Sequence, residues 1–372
     1  MNVRLESDST FQRVQAWMLR DTNAIGIKRV NSINAAIATD VGTQRNQNQD
    51  RTVIVRGKDY HGDVYVLAML CDGMGGMLDG EYCAATTIAA FLTSFFKLSQ
   101  RAGMPNDWLV ASAEFANKVV YEKYAGAGGS TLSAVFVKPG GKANWLNVGD
   151  SRIYKASHDV TQISQDDTIA GQLGKSSTMS QRMSELLQYI GIGDDLEPHV
   201  SRMTIDEPAS FLLTSDGVHF LPSETLNSLI AKADDSGTCA KRLVEVAKWC
   251  GGHDNGTVAV VDVQSLKALD SLSILPGQYD IWDPFGELQI YDASVDLARH
   301  PYIAEKYPGK RKPSINADDN RRMRKVRPVK VQVEIKSSES EAAQDRIQVN
   351  ELREAKTEKK PQLKISFPIK DE

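Results

Sequence analysis

Val64-Tyr65-Val66-Leu67-Ala68-Met69-Leu70-Cys71-Asp72-Gly73-Met74-Gly75-Gly76 is the stretch on which the fold turns. Val64 to Cys71 is apolar throughout, as expected of a strand covered on both faces. It ends abruptly in an acid followed by three glycines within four residues. Asp-Gly alone marks an ordinary turn. The run Asp-Gly-x-Gly-Gly is rarer, and chance places it in under about 1% of chains of this length.

Reading outward, Asn34–Asp40 and Thr52–Arg56 are strand candidates before this run. Asp79–Leu98 reads as a helix with Ala85, Ile88, Leu92 and Phe95 on one stripe. Asn106 or Asp107 caps a second helix reaching Tyr124. Strands follow at Thr131–Val137, Ala143–Val148 and Arg152–Lys155. Asp166–Ile190 is expected to be a polar helical segment, with strands at Val200–Ile205 and Ser210–Thr214. Helices at Ser223–Lys232 and Ser236–Cys250 precede a closing strand, Thr257–Val263. Strands in succession around paired helices, without βαβ alternation, indicate an α+β layered fold with antiparallel sheets. Phe11, Val14, Trp17 and Met18 add a short amphipathic helix near the start.

Composition narrows the function. The 372 residues are 41% hydrophobic and 25% charged, with net charge −4. Cys71, Cys83, Cys239 and Cys250 form no CxxC pair and no zinc spacing, which fits a reducing, cytoplasmic setting. The 15-residue uncharged run Tyr82–Phe96 falls short of a membrane span. No apolar leader is visible, so neither secretion nor a membrane partner is expected. Residues 301–372 hold 18 basic and 12 acidic residues, against 26 and 36 in the first 300. That shift suggests a tail built differently from the body. Six of the ten residues Arg321–Lys330 are basic, yet no aromatic accompanies them, so nucleic acid is not the expected partner. Residues 329–335 and 363–367 alternate like strands and suit a small sheet or a protein partner's edge.

The chemistry lies in acids beside glycine at strand ends. Arg45-Asn46-Gln47-Asn48-Gln49-Asp50, Asp72-Gly73, Asp216-Gly217 and Asp254-Asn255-Gly256-Thr257 each flank an apolar strand. Gathered carboxylates raise one another's pKa, and divalent cations such as Mg²⁺ or Mn²⁺ relieve that conflict. A glycine beside a ligating Asp lets the main chain offer its carbonyl. A metal pair can activate a water for in-line attack on phosphorus.

These residues resemble the metal-dependent protein serine/threonine phosphatases of type 2C, in their compact bacterial form. The markers run in family order: Thr39-Asp40-Val41-Gly42 with Arg45 and Asn48-Gln49-Asp50; Cys71 to Gly76; Gly129-Ser130-Thr131; Asn147-Val148-Gly149-Asp150-Ser151-Arg152; Thr214-Ser215-Asp216-Gly217; and Asp254 to Val258. The resemblance covers about Ala36 to Val263. It implies a four-layer α-β-β-α sandwich of two antiparallel sheets flanked by helices, followed by a C-terminal extension. It implies two Mn²⁺ or Mg²⁺ ions, with Asp72 bridging them, Gly73 giving its carbonyl, and Asp216 and Asp254 as further ligands. Asp150 is the candidate ligand for a third ion. Asp50 would hold metal-bound waters, and Arg45 would clamp the substrate phosphate. The implied reaction is hydrolysis of phosphoserine and phosphothreonine in a phosphoprotein by a water bridging the metals.

Three positions depart from the family pattern. Gln49 stands where many members have Glu, Met74 where many have a His proton donor, and Phe220 where some carry an acid for a third metal. They support the rival reading, a non-catalytic phosphatase-fold scaffold that binds a protein partner. A hydrolase of small phosphate esters is the other alternative. Ser151-Arg152 reads as a turn with a local salt bridge, Cys71 as a core residue, and the histidines as surface or core residues. Asp166–Ile190 falls where the family carries its mobile flap, and its polarity suits either a surface lid or a solvated helix pair with no role in substrate choice. The expected organisation is an N-terminal extension (1–30), a catalytic domain (31–265) and a C-terminal extension (266–372) forming a small β element or a partner-binding tail.

Overall fold

The computed structural model describes residues 8–21, 24–74, 77–169, 171, 185–205, 207–264, 266, 274–292 and 295. Two antiparallel sheets form its centre. The first has the order β1 (Gly26–Val30), β2 (Ala35–Asp40), β11 (Gly256–Asp262), β10 (Ser210–Thr214), β7 (Arg152–Ala156), β8 (Val160–Gln162). The second runs β13 (Gly286–Tyr291), β12 (Gln278–Asp283), β3 (Arg51–Lys58), β4 (Val64–Cys71), β5 (Leu132–Lys138), β6 (Lys142–Val148), β9 (His199–Thr204).

Strand alternation divides the apolar residues among three cores. In β4, Val64, Val66, Ala68 and Leu70 face the other sheet with Ile37, Phe211, Leu213 and Val261. Tyr65, Leu67, Met69 and Cys71 face helices α1 (Ser9–Met18), α2 (Gly80–Ser99) and α3 (Pro105–Tyr124). This two-sided burial explains the unbroken apolar run. On the first sheet, Ala36, Ala38, Leu212, Val258 and Val260 meet α4 (Ser223–Ala231) and α5 (Ser236–Trp249). The result is the expected α-β-β-α sandwich.

The body extends past both expected boundaries. At the N-terminus, β1 pairs with β2 along its full length, and Phe11, Val14 and Met18 of α1 are buried in the helix-side core. After residue 265, β12 pairs with β3 through Asp280↔Arg56, Ile281↔Val55 and Trp282↔Ile54. Tyr279 stacks on Phe96 with centroids 3.7 Å apart, and its hydroxyl donates to the Phe96 carbonyl at 3.2 Å. Asp283 makes the hairpin turn by accepting from the N–H groups of Phe285 at 3.0 Å and Gly286 at 2.7 Å. Residues 278–291, rich in aromatic and turn residues, thus form a hairpin covering the β3 edge.

The Asp166–Ile190 reading changes as well. Residues 170 and 172–184 lie outside the described residues, while Thr168 bridges Leu186 and Ser130 bridges Ile190. The end of the segment is thus extended, because Ile190 is buried and exchanges backbone hydrogen bonds with Ser130. Gly75, Gly76, the basic run 321–330 and the alternating runs 329–335 and 363–367 also lie outside the described residues. Among the described residues, no helix is long and apolar enough to cross a membrane.

Candidate active site

Register alone gathers the motifs at one end of the sandwich. Gly256 pairs with Asp40, Val258 with Thr214, and Thr214 with Arg152 in the first sheet. Arg51 pairs with Cys71 and Leu132 with Val148 in the second. Asp50, Asp72, Asp150, Asp216 and Asp254 therefore all sit just off strand termini at the same rim.

Close main-chain contacts set the two Asp-Gly corners. A Cβ on Gly73 would lie 2.2 Å from the Gly80 carbonyl oxygen, and one on Gly217 would lie 2.1 Å from that of Asn255. Only glycine fits these approaches. The Asp72 N–H donates to Thr131 Oγ1 at 2.9 Å, and the Thr131 N–H returns a bond to the Asp72 carbonyl at 2.8 Å. Thr131 Oγ1 also meets Ser151 Oγ at 2.8 Å, giving a local role to two further motifs.

Asn255 binds the Arg45–Asp50 loop to the head of β11. Its Nδ2 donates to the carbonyls of Val41 at 2.9 Å and Gln47 at 3.0 Å, and its Oδ1 accepts from the Gln49 N–H at 2.8 Å. Ser215 Oγ donates to Asp50 Oδ2 at 2.7 Å and accepts from the Thr257 N–H at 2.9 Å. Beneath Asp50, the buried Arg51 guanidinium reaches the carbonyls of Met18, Asn48 and Asp50 and pairs with Glu81. Asp40 stands apart from the other acids, since Lys248 Nζ lies 2.9 Å from both its oxygens.

The acids crowd one another electrostatically. Burial first, then Asp50, Asp216, Asp150 and Asp254, push the Asp72 carboxyl well above the usual range. Burial also raises Asp50 to about 7, against the hydrogen bond from Ser215 and with the help of Asp216 and Asp254. Asp150 is raised to about 7 by burial and by Asp216. Asp216 is raised to about 6 by burial and by Asp254, while a hydrogen bond with Asp72 opposes the rise. Arg45 answers this charge. Its Nη2 lies 2.6 Å from Asp254 Oδ2, and that bond, with the fields of Asp254, Asp216 and Asp72, raises its pKa.

Asp50 Oδ1 and Asp216 Oδ1 are buried and make no hydrogen bond among the described residues. Carboxylate oxygens of this kind, beside carboxyls that resist ionisation, suit hard divalent cations. As the side chains stand, no three His, Cys, Asp or Glu residues among the described ones are arranged to hold a metal, and Asp254 is engaged by Arg45. The donor set therefore fits a cation in kind.

The remaining sequence candidates fall outside this cluster. Burial pushes the Cys71 thiol well up, as a core role requires. Arg152 pairs with Asp166 at 2.7 Å. His253 meets Gln44 at 2.8 Å and sets its ring edge-on to Phe220, 6.1 Å away. Sequence reasoning missed Arg51, because the strand was read as starting at Thr52. A lone cation opening an apolar strand was the available signal. The fastening role of the Asn255 carboxamide and the Ser215 hydroxyl had no local signal.

No family model matches the chain. Over 229 residues it is 28% identical to the serine/threonine protein phosphatase PstP of Mycobacterium tuberculosis, covering 57% of this chain and 43% of that protein. The chain thus spans less than half the length of that curated relative. Among solved structures, the PPM Ser-Thr phosphatase MsPP from Mycobacterium smegmatis, in complex with cacodylate, is 31% identical with a TM-score of 0.50, covering 62% of this chain and 97% of that one. The catalytic domain of PstP in complex with two manganese ions is 26% identical with a TM-score of 0.51, covering 64% and 99%.

Proposed function

Because the chain belongs to the PPM serine/threonine phosphatases, we propose that it is a metal-dependent phosphatase hydrolysing phosphoserine and phosphothreonine in a cytoplasmic phosphoprotein. The observation that carries this reading is the ring of strand-end acids, Asp50, Asp72, Asp150 and Asp216, each raised by burial and by its neighbours.

Asp72, the Gly73 carbonyl, Asp216 and Asp254 are the groups that would hold two divalent cations, Mn²⁺ or Mg²⁺, with Asp150 the candidate for a third. Bound there, such ions supply charge neutralisation and Lewis acidity toward phosphate and water. Asp50, locked through Oδ2 by Ser215, keeps Oδ1 to orient water at the rim. Arg45 is exposed and long enough to leave Asp254 for the phosphate, whose oxygens match its planar fork. Its departure frees Asp254 as a ligand, so anion capture and completion of the cation site are linked. With Met74 in place of a titratable group, proton delivery to the leaving alkoxide falls to a water or another group at the rim.

The test is Mn²⁺-titrated hydrolysis of p-nitrophenyl phosphate and of a phosphothreonine peptide by the wild type and Asp72→Asn. Metal-dependent turnover lost in the variant is expected. Equal, negligible turnover by both at saturating Mn²⁺ would transfer the assignment to the non-catalytic scaffold.

A further inference from the structure

The end of the second sheet remote from the acids carries a cavity of about 580 Å³, walled by the turn Gly103–Pro105 before α3, the β5–β6 hairpin and β9. Register defines its floor. Phe136 pairs with Asn144 and Asn144 with Arg202; the next row is Lys138, Lys142 and Thr204. Residues two apart share a face, so both rows project to the side on which α3 packs. Trp108 of α3 lies edge-on to Phe136 with centroids 6.3 Å apart and completes an apolar base. Asn144 Nδ2 donates to Asn106 Oδ1 at 2.5 Å, fastening the first turn of α3 to the sheet and preforming the walls.

Charge in this cavity is unbalanced. Lys138 is matched by Asp59 and by Asp63 Oδ2 at 3.0 Å, and Asp63 is the sole acid among the described residues of the lining. Lys142 and Arg202 are exposed and make no ion pair among the described residues. Two cations on one face of adjacent strands repel each other, and an anion seated between them removes that repulsion. The volume lies in the range of small-molecule sites, roughly 300–1,000 Å³.

We propose that this cavity binds a small organic anion, its charged group between Lys142 and Arg202 and a flat apolar body against Met104 and Pro139, above the buried Trp108 and Phe136. The seven residues of β5 separate it from Thr131 and Asp72 by roughly 20 Å. It is therefore independent of the phosphatase reading.

The experiment uses the full-length ¹⁵N-labelled protein, with 1-naphthoate and its neutral counterpart 1-naphthamide as probes. The Trp108 indole N–H resonance, assigned with Trp108→Phe, is the readout. Naphthoate should shift it saturably and bind at least tenfold more tightly than naphthamide. The double variant Lys142→Gln/Arg202→Gln should weaken naphthoate at least tenfold with p-nitrophenyl phosphate hydrolysis and melting temperature unchanged. Equal binding of the amide, an unmoved Trp108 signal, undiminished binding by the double variant, or occupancy by an acidic peptide alone would each overturn the proposal.

Discussion

The Arg45 guanidinium closes on the Asp254 carboxylate at 2.6 Å, joining the loop before β3 to the residue that precedes β11. The proposed phosphate clamp and a proposed cation ligand thus neutralise each other across the rim. Both are part-exposed, so the pair is worth little to stability, and it is free to exchange partners.

Arg45→Ala should leave the melting temperature near that of the wild type and raise KM for phosphopeptide about 10- to 100-fold, the loss of a charge-assisted bond of about 1.5–3 kcal/mol. Arg45→Lys should recover only part of this, because an ammonium lacks the planar fork. Steady-state kinetics at saturating Mn²⁺ measure both. An unchanged KM in Arg45→Ala would remove Arg45 from phosphate binding.

The acid cluster predicts the pH dependence of stability when a chelator is present. Asp216 titrates at about 6 and Asp50 and Asp150 at about 7 in the fold, above the ~4 of an unfolded carboxylate. The unfolded chain therefore releases these protons first. Their contribution is fully present below about pH 4 and is lost as pH rises through 6 to 7. The melting temperature should fall between pH 5 and pH 8, by on the order of 5 °C. Asp216→Asn should flatten the slope, and Mn²⁺ should raise the melting temperature more at pH 8 than at pH 5. A rise across this window with chelator present would contradict the crowding of acids.

The β12–β13 hairpin should be indispensable to the body. A chain ending at Val263 loses the strand paired with Ile54–Arg56 and the burial of Tyr279, Ile281 and Ile290. Large buried side chains each contribute several kcal/mol, about 3–5 for an aromatic. The shortened chain should melt far lower or aggregate through the bare β3 edge. Limited proteolysis should leave a core extending past Tyr291. A resistant fragment ending near residue 265 would show the hairpin to be dispensable.

Much of this was readable from the residues in order. The unbroken run Val64–Cys71 announced a strand covered on both sides, and the Asp-Gly corners after it and after Phe211–Ser215 announced the rim. Those signals are local, since side-chain period and turn chemistry are written within a few residues. The pairing of Trp282 with Ile54, the reach of Arg51 to the Met18 carbonyl and the clasp of Asn255 on the loop before β3 were not readable. Each joins positions distant in the chain, and nothing nearby distinguishes such a partner from any other.

The order of residues alone determined the central strands β2 to β7 and β9 to β11, and that acids stand at their ends. Folding decided which ends meet. Only there do burial and mutual repulsion lift the carboxyls together, because a field that falls with distance acts on positions in space and not on positions in the chain.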